Sequence, residues 1–465
     1  MSEDKKENTE KKFSIWSKYT DDDKKNLDEL AAGYIDFISR CKTERESVDE
    51  TIRRAQAAGY KQFEPGMALK PGDKVYAVCM KKSIALFNIG TEPLERGMKI
   101  LGAHIDTCRL DVKQNPLYDD GGLAYLDTHY YGGIKKYQWV TLPLAMHGVV
   151  VKKDGTVINI VIGEAEGDPV FCVTDLLIHL SQDQLEKKAK VVVEGENLDI
   201  LVGNYPLKED KKESVKKNIA ALLKEKYNID DGDFLSAELA LVPAGKAREL
   251  GFDRSMVLGY GQDDRVCSFT SLIAMLEAEQ TPARTNCCLL VDKEEIGSFG
   301  ATGMKSRFFE NIVAELIGSL GEYSDLKVRR ALQNSVMLSS DVSSAFDPLY
   351  AGVFDKKNVA YLGKGMVFNK FTGSRGKSGS SEANAEYVGK LRAVLDAHNV
   401  GYQFSELGKV DKGGGGTIAY IMAAYGMEVI DSGVAVLSMH APWEATSKID
   451  IYETKKCYAA FLTDM

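Results

Sequence analysis

The feature that most constrains this chain is a set of five apolar runs, each ending in a histidine or a carboxylate. MKILGAHID ends at His104 and Asp106, and MVLGYGQDDR ends at Asp263 and Asp264. CCLLVDKEEIGSFG delivers Glu294 and Glu295, SVMLSSDV delivers Asp341, and VAVLSMH delivers His440. Short apolar runs bounded by turn residues read as buried strands. Helix-like stretches lie between and after them: RVCSFTSLIAMLEAE, RFFENIVAELIGSL, YVGKLRAVLDAHN and finally IYETKKCYAAFLTD. Such alternation predicts an α/β fold, a mostly parallel sheet with helices on both faces. Ligands bind outside the carboxyl ends of strands in sheets of this kind. The five polar ends are therefore expected to converge.

The N-terminal part adds two predicted helices, over 21–40 and 45–58, and the strands KVYAVCM and SIALFNIG. Residues 1–20 read as a polar arm. The rhythm breaks near residue 111. From there to about residue 250 the chain is mostly strand and turn, with YQWVTLPLAMHGVVV and VINIVIG around a KKDGT turn. A helix-like segment is expected at 172–187 and a charged helical stretch near 208–227. The expected organisation is a discontinuous α/β domain, 1–110 and 251–465, with a β-rich domain inserted at 111–250.

Length and composition narrow the classes. At 465 residues the chain exceeds one ordinary domain. Its 44% hydrophobic and 27% charged content excludes disordered, collagenous and coiled-coil classes. With 59 Lys and Arg against 68 Asp and Glu, the net charge is −9. Nucleic-acid affinity comes from cations on phosphates, so no nucleic-acid partner is expected. The pairs Lys211-Lys212 and Lys216-Lys217 read as solvated helix faces. The charged start carries no secretory signal, and no apolar stretch is long enough for a membrane span. The eight cysteines include no CxxC pair. They read as reduced thiols of a cytoplasmic protein.

The strand ends form a coherent chemical set. Each element alone has a plain structural reading. An Asp pair before a helix is ordinarily an N-cap, and an isolated histidine usually packs in a core. Together, two histidines and several carboxylates suit two divalent ions, most simply zinc, with manganese or cobalt as alternatives. A bridging carboxylate flanked by such ligands holds two ions about 3.5–4 Å apart. The Glu294-Glu295 pair can then divide labour, one residue ligating and the other acting as general base and acid. Asp106, two residues from His104, can orient its imidazole.

HIDTCRLD, GQDDRVCSF, DKEEIGSFGATG, SSDVSSAFDP and SMHAPWE resemble, in order and spacing, the aspartyl aminopeptidase and vacuolar aminopeptidase I family of dinuclear zinc metallopeptidases. The resemblance covers nearly the whole chain, inserted domain included. It implies an aminopeptidase that removes the N-terminal residue from peptides. By that resemblance His104, Asp263, Glu295, Asp341 and His440 are the metal ligands, with Asp263 as the bridge. Glu294 is the general base, and Asp106 orients His104. The inserted domain is implied to build dimers, which assemble into dodecamers. His179, in VTDLLIHL, matches a histidine that reaches the partner subunit's site.

The substrate pocket matches less closely. Cys108 stands where the family commonly has proline. Acid-selective members carry a lysine in a short loop. Here VFNKFTGSRGKSG is longer and offset, making Lys370 the candidate, with Arg375 and Lys377 nearby. Preference for N-terminal Asp or Glu is implied only to that extent. The cluster Gly413 to Gly416, with Gly415 and Gly416 at its end, resembles a segment that lets backbone approach substrate. His129, His147 and His398 read as structural. Two rival functions share the same residues: a deacylase of N-acyl amino acids, and a non-catalytic shell-forming assembly. Phosphoester hydrolysis is a third two-metal option, though no compact arginine cluster supports it.

Overall fold

A computed structural model of the chain describes residues 15–207, 213–278 and 281–465. Most of the expected polar arm, the Lys211-Lys212 pair and the start of the 208–227 stretch lie outside the described residues. The chain forms two compact units. The first comprises the chain up to Asp106, Ala247–Met439 and Glu444–Met465. The second comprises Thr107–Lys246 and His440–Trp443.

The first unit is built on a nine-stranded sheet. Its centre is four parallel strands in the order Asn286–Val291, Lys99–His104, Val336–Ser340 and Glu428–Gly433. On one side Ser83–Asn88 and Lys74–Cys79 follow antiparallel, with Lys61–Gln62 at the edge. On the other, Met366–Asn369 runs antiparallel to the centre and pairs in parallel with Tyr402–Phe404. The sheet is thus parallel at its centre, and each flank joins that centre through an antiparallel pair.

Period-two side-chain alternation explains why these strands are continuous apolar runs. Leu101, Ala103, Leu290, Leu338 and Ile430 face one core. That core is shared with residues of helices Asp21–Arg40, Gln262–Glu277, Ala385–Ala397 and Lys448–Asp464. Ile100, Leu289, Met337 and Val429 face the other, against helices Phe308–Leu320 and Asp325–Gln333. Both expected N-terminal helices form, at Asp21–Arg40 and Glu44–Ala57, each opened by a threonine capping box.

Two of the five expected strands belong elsewhere. Met256–Gly259 and Ala435–Leu437 lie in a separate five-stranded sheet, where both pair antiparallel with Glu444–Ser447. Only the runs ending near His104, Glu294 and Asp341 are central strands. The apolar content of a run reports burial, and these two runs are buried by a different set of neighbours.

The second unit is a seven-stranded, wholly antiparallel sheet. Its longest strands are Arg109–Asp120 and Leu123–Tyr131. The helix-like segment expected at 172–187 is instead a two-residue strand, Cys172–Val173, a 3-10 turn, Ile178–Leu180, and one helical turn, Gln182–Leu185. Within the 208–227 stretch, the described helix is Ser214–Tyr227. All eight cysteines are free thiols. His147 is buried against Glu164 at 3.2 Å and His398 meets Asp464 at 2.5 Å, both structural contacts. No helix among the described residues is long and apolar enough to cross a membrane.

The fold makes a simple prediction. Leu338 is fully buried in a central strand, whereas Leu326 is half exposed. Leu338→Ala should cost about 2–5 kcal/mol, read as a lowered denaturation midpoint. Leu326→Ala should stay within about 0.5 kcal/mol.

Candidate active site

Register places the key side chains at one edge of the sheet. Val291 lies opposite His104, and Ser339 lies opposite Gly102. Glu294 and Asp341 therefore follow at the level where strand Lys99–His104 ends. Asp263 and Asp264 open the helical segment Gln262–Glu277 with non-helical dihedrals, and the peptide between them is cis. The regular helix starts after them, as a polar pair ahead of a helix leads one to expect.

His104 is fully buried. Its Nδ1 donates to the Asp106 carbonyl at 3.1 Å and lies 3.3 Å from Asp106 Oδ1. That bond turns Nε2 towards carboxylates. Asp263 Oδ1 is 3.1 Å from Nε2, Asp341 Oδ1 is 3.7 Å away, and Glu294 Oε2 is 4.0 Å away. At these separations Nε2 either carries a proton that it donates to the carboxylates or shares a cation with them. Two ligands about 2.1 Å from a tetrahedral ion are themselves about 3.4 Å apart. His104, Asp263 and Asp341 thus match a divalent-metal donor set in type and spacing.

Asp106 does more than orient the imidazole. Its Oδ1 accepts the Glu294 N–H at 3.1 Å and its Oδ2 accepts the Glu295 N–H at 3.2 Å. One buried carboxylate thereby fixes both the histidine and the turn that carries the glutamate pair. Glu294 is pushed up to about 9, first by burial and then by the charge of Asp341, with Asp263 and Glu295 adding. Burial pulls the His104 imidazole down, but its bonds to Asp106, Asp263 and Asp341 outweigh this and hold it well above its usual range.

Two supporting residues were not singled out as chemistry from the sequence. Asp264 is fully buried, and burial pushes it well up. Its Oδ2 accepts the His104 N–H at 3.4 Å. Its Oδ1 accepts no hydrogen bond among the described residues. Glu444, also buried, accepts the Asp263 N–H on Oε2 at 3.1 Å, and its carbonyl accepts from Gln262 Nε2 at 2.6 Å. The glutamate of SMHAPWE was the available signal for it. Gly433 completes the packing. A Cβ there would lie 1.9 Å from the Asp341 carbonyl oxygen, so only glycine lets the strand pass beside that residue.

The remaining sequence candidates are placed as follows. His440 has φ +64°, and its Nδ1 donates to the Gly133 carbonyl at 2.9 Å, leaving the lone pair on Nε2. It belongs to the His440–Trp443 segment of the second unit. His179 is exposed in the 3-10 turn Ile178–Leu180. Lys370 is exposed, whereas Lys377 is paired with Glu382 at 2.8 Å. Gly373 pairs with Gly415, and Ser374 with Gly414. The loop carrying Lys370 and Arg375 is thus joined to the loop carrying Gly415 and Gly416.

The family model for aminopeptidase I zinc metalloproteases (M18) matches residues 37–462. The chain belongs to the M18 aminopeptidase family. This M18 enzyme is 61% identical to a probable M18 family aminopeptidase 1 of Clostridium acetobutylicum, over 97% of this chain and 98% of that one. The crystal structure of aminopeptidase I from the same organism superposes with a TM-score of 0.91 at 59% identity, covering 97% and 99% of the two chains. The Thermotoga maritima M18 aminopeptidase gives 0.92 at 41% identity, with the same coverage. Yeast mature aminopeptidase 1, described as a dodecamer, shares the fold with a TM-score of 0.76 at 20% identity, over 94% and 97%. The protein is a zinc metalloaminopeptidase, a hydrolase.

Asp106→Asn leaves one acceptor oxygen for the two backbone N–H groups of the Glu294-Glu295 turn. The variant should fold yet bind zinc about 10–100-fold more weakly. Competition with a chromogenic chelator checks this. Unchanged affinity would show that the turn holds itself.

Proposed function

We propose that this M18 enzyme removes the N-terminal residue from peptides with two divalent ions, zinc in the simplest case, and with Glu294 as general base. The observation that carries the proposal is the convergence of His104, Asp263 and Asp341, with Glu294 4.0 Å from the same ring nitrogen. His104, Asp263, Glu295, Asp341 and His440 are the proposed ligands, and Asp263 is the bridge. When bound, the ions supply Lewis-acid polarisation of the scissile carbonyl and make water more acidic. Glu294 takes a proton from the attacking water and passes it to the leaving amine. Asp106 keeps Glu294 in place through its backbone amide. The substrate's free α-amino group would bind near the ions and the neighbouring carboxylates.

The paired loops of Lys370 and Gly414–Gly415 support a shared wall for the N-terminal side chain. With Lys377 engaged by Glu382, Lys370 is the proposed cation for an acidic N-terminal residue. The second unit is the proposed dimerisation domain. Leu176, Leu177, Ile178, Leu180 and Leu185 are all about half to two-thirds exposed around His179. An apolar surface of that kind marks a subunit contact, and His179 would be carried with it to the partner's site. Assembly of such dimers into a dodecamer follows the form described for the yeast relative. Free thiols fit a cytoplasmic setting.

Glu294→Gln should retain its zinc and lose about 10²–10⁴-fold in kcat. Metal content and turnover of a free-amine peptide, measured on one preparation, check both halves. N-acetylated versions of the same peptides should be inert. Their rapid cleavage would favour the deacylase reading.

A further inference from the structure

The proposed general base stands in a loop of the first unit that closes on itself. Glu294–Ile296 is a 3-10 turn, and the Gly297 N–H donates to the Glu294 carbonyl at 2.9 Å. Ser298 donates its N–H to the Lys293 carbonyl at 2.7 Å, and its own carbonyl accepts the Lys305 N–H at 3.2 Å. Asp292 donates its N–H to the Thr302 carbonyl at 3.3 Å. Gly303 passes so close that a Cβ there would lie 2.3 Å from the Ser298 carbonyl oxygen. The loop 293–305 is thus fixed at its base and at its return, and its tip is held in a set position.

That tip is apolar. Phe299 is 69% exposed, and Ile296 is about half exposed. Single exposed apolar side chains are ordinary on a protein surface. The Phe299 ring differs in being fastened. The Lys305 ammonium lies 3.7 Å from its centre, and the same ammonium donates to the Gly297 carbonyl at 3.1 Å. It also lies 5.4 Å from the ring centre of Tyr420, in the short helix Ala419–Ala423 that follows Gly416. Tyr420 too is exposed. Cation–π attraction therefore gathers two rings around one ammonium, one from the loop of the base and one from the segment after the glycine cluster. The ammonium covers one face of Phe299, and the exposure leaves the other open.

The surroundings of the ring decide what it can touch. A Cβ on Gly297 would lie 3.8 Å from the Phe299 ring, and Gly297 is bonded to the Glu294 carbonyl. In the hydrolysis proposed above Glu294 hands its proton to the leaving amine, so the side chain next to that amine is delivered beside this loop. We propose that Phe299, with Ile296 and Tyr420, forms an apolar shelf for the side chain of the residue after the scissile bond, and that this M18 enzyme favours an aromatic or large aliphatic residue there. The proposal rests on the peptide-hydrolysis reading. A ring already fixed loses little freedom when a side chain packs on it, which favours binding. The Lys305 charge is engaged by the Gly297 carbonyl and both rings, so the shelf recognises apolar surface in preference to an acid.

The test uses the zinc-loaded enzyme with its variants Phe299→Ala and Phe299→Tyr, both at an exposed position where folding tolerates substitution. Four peptide amides share one N-terminal residue X and differ in the next: X-Phe-amide, X-Leu-amide, X-Glu-amide and X-Gly-amide. Wild type should favour Phe and Leu over Gly. In Phe299→Ala the ratio of kcat/KM for X-Phe-amide to that for X-Gly-amide should fall about tenfold, the size of one lost aromatic contact with its buried area. The loss should lie in KM, and Phe299→Tyr should keep the ratio. An equal change on all four amides, or no change, would overturn the proposal. So would a larger loss on X-Glu-amide than on X-Phe-amide, which marks a cation site, or a loss that follows X instead of the next residue. A changed mass of the assembly in light scattering, with all four amides losing alike, would mark Phe299 as a subunit contact and overturn it too. Binding is read apart from turnover with N-acetylphenylalanine amide, which carries the aromatic side chain after an acyl bond and has no free amine. Saturation-transfer NMR should show its ring on wild type and Phe299→Tyr, and not on Phe299→Ala. Such binding, with no cleavage of the free-amine peptides, would sustain the shelf and sink the peptidase reading. Cleavage of the peptides with no dependence on Phe299 would sink the shelf alone.

Discussion

The site depends on one buried carboxylate that belongs to the support of the proposed metal ligands. Asp106 lies two residues past the central strand Lys99–His104 and accepts two successive backbone N–H groups, those of Glu294 and Glu295. The same residue receives the His104 ring proton on its carbonyl. Histidine and glutamate pair come from neighbouring parallel strands, so their relative position would otherwise depend on two turns. Short bonds to a fully buried group remove that freedom. An anion accepting two N–H bonds in low dielectric is held strongly, because its alternative is an unsatisfied buried charge.

The support costs stability. Asp106, Asp263, Asp264, Glu294 and Asp341 crowd one strand edge, and burial raises both Asp264 and Glu294. Like charges at these distances do not all ionise without a compensating cation. The surrounding structure tolerates the crowding by local means. Glu444 holds the Asp263 amide, Gly433 leaves room for the Asp341 backbone, and Ser432 accepts the Asp341 N–H at 2.8 Å. Each device acts on backbone, leaving the carboxylate oxygens directed at the centre. Such strain at a functional edge is affordable because the sheet beneath is packed on both faces by apolar side chains.

Much of this was legible in the sequence because burial writes itself locally. Lys99–His104, Asn286–Val291 and Val336–Ser340 are continuous apolar runs, and each is followed at once by its polar group. The membership of Met256–Gly259 and Ala435–Leu437 was not legible. Both pair with Glu444–Ser447; the first does so across nearly two hundred positions, which leaves no local trace, and the second takes its place in the separate sheet through that same strand. Asp264 was named among the converging ends but given no role, and Glu444 escaped, for a related reason. A second aspartate in a pair reads as a cap, and a glutamate four residues past a histidine reads as surface. Only the fold turns them inward. Asp106 was found by its spacing, but its hold on the Glu294-Glu295 turn depends on strands whose adjacency spacing cannot specify.

The segment around His179 shows the opposite failure. Its leucines and isoleucine have helical spacing, yet the chain there makes only a 3-10 turn and a single helical turn. A short helix stands when its apolar stripe has something to bury against. Here those side chains remain exposed, so nothing within the chain rewards the regular form. Apolar periodicity measures the demand for a contact and is silent about which molecule supplies it. Where the contact lies in the same chain, periodicity reads as secondary structure. Where it lies in a second copy, as proposed for this segment, the same signal marks an interface.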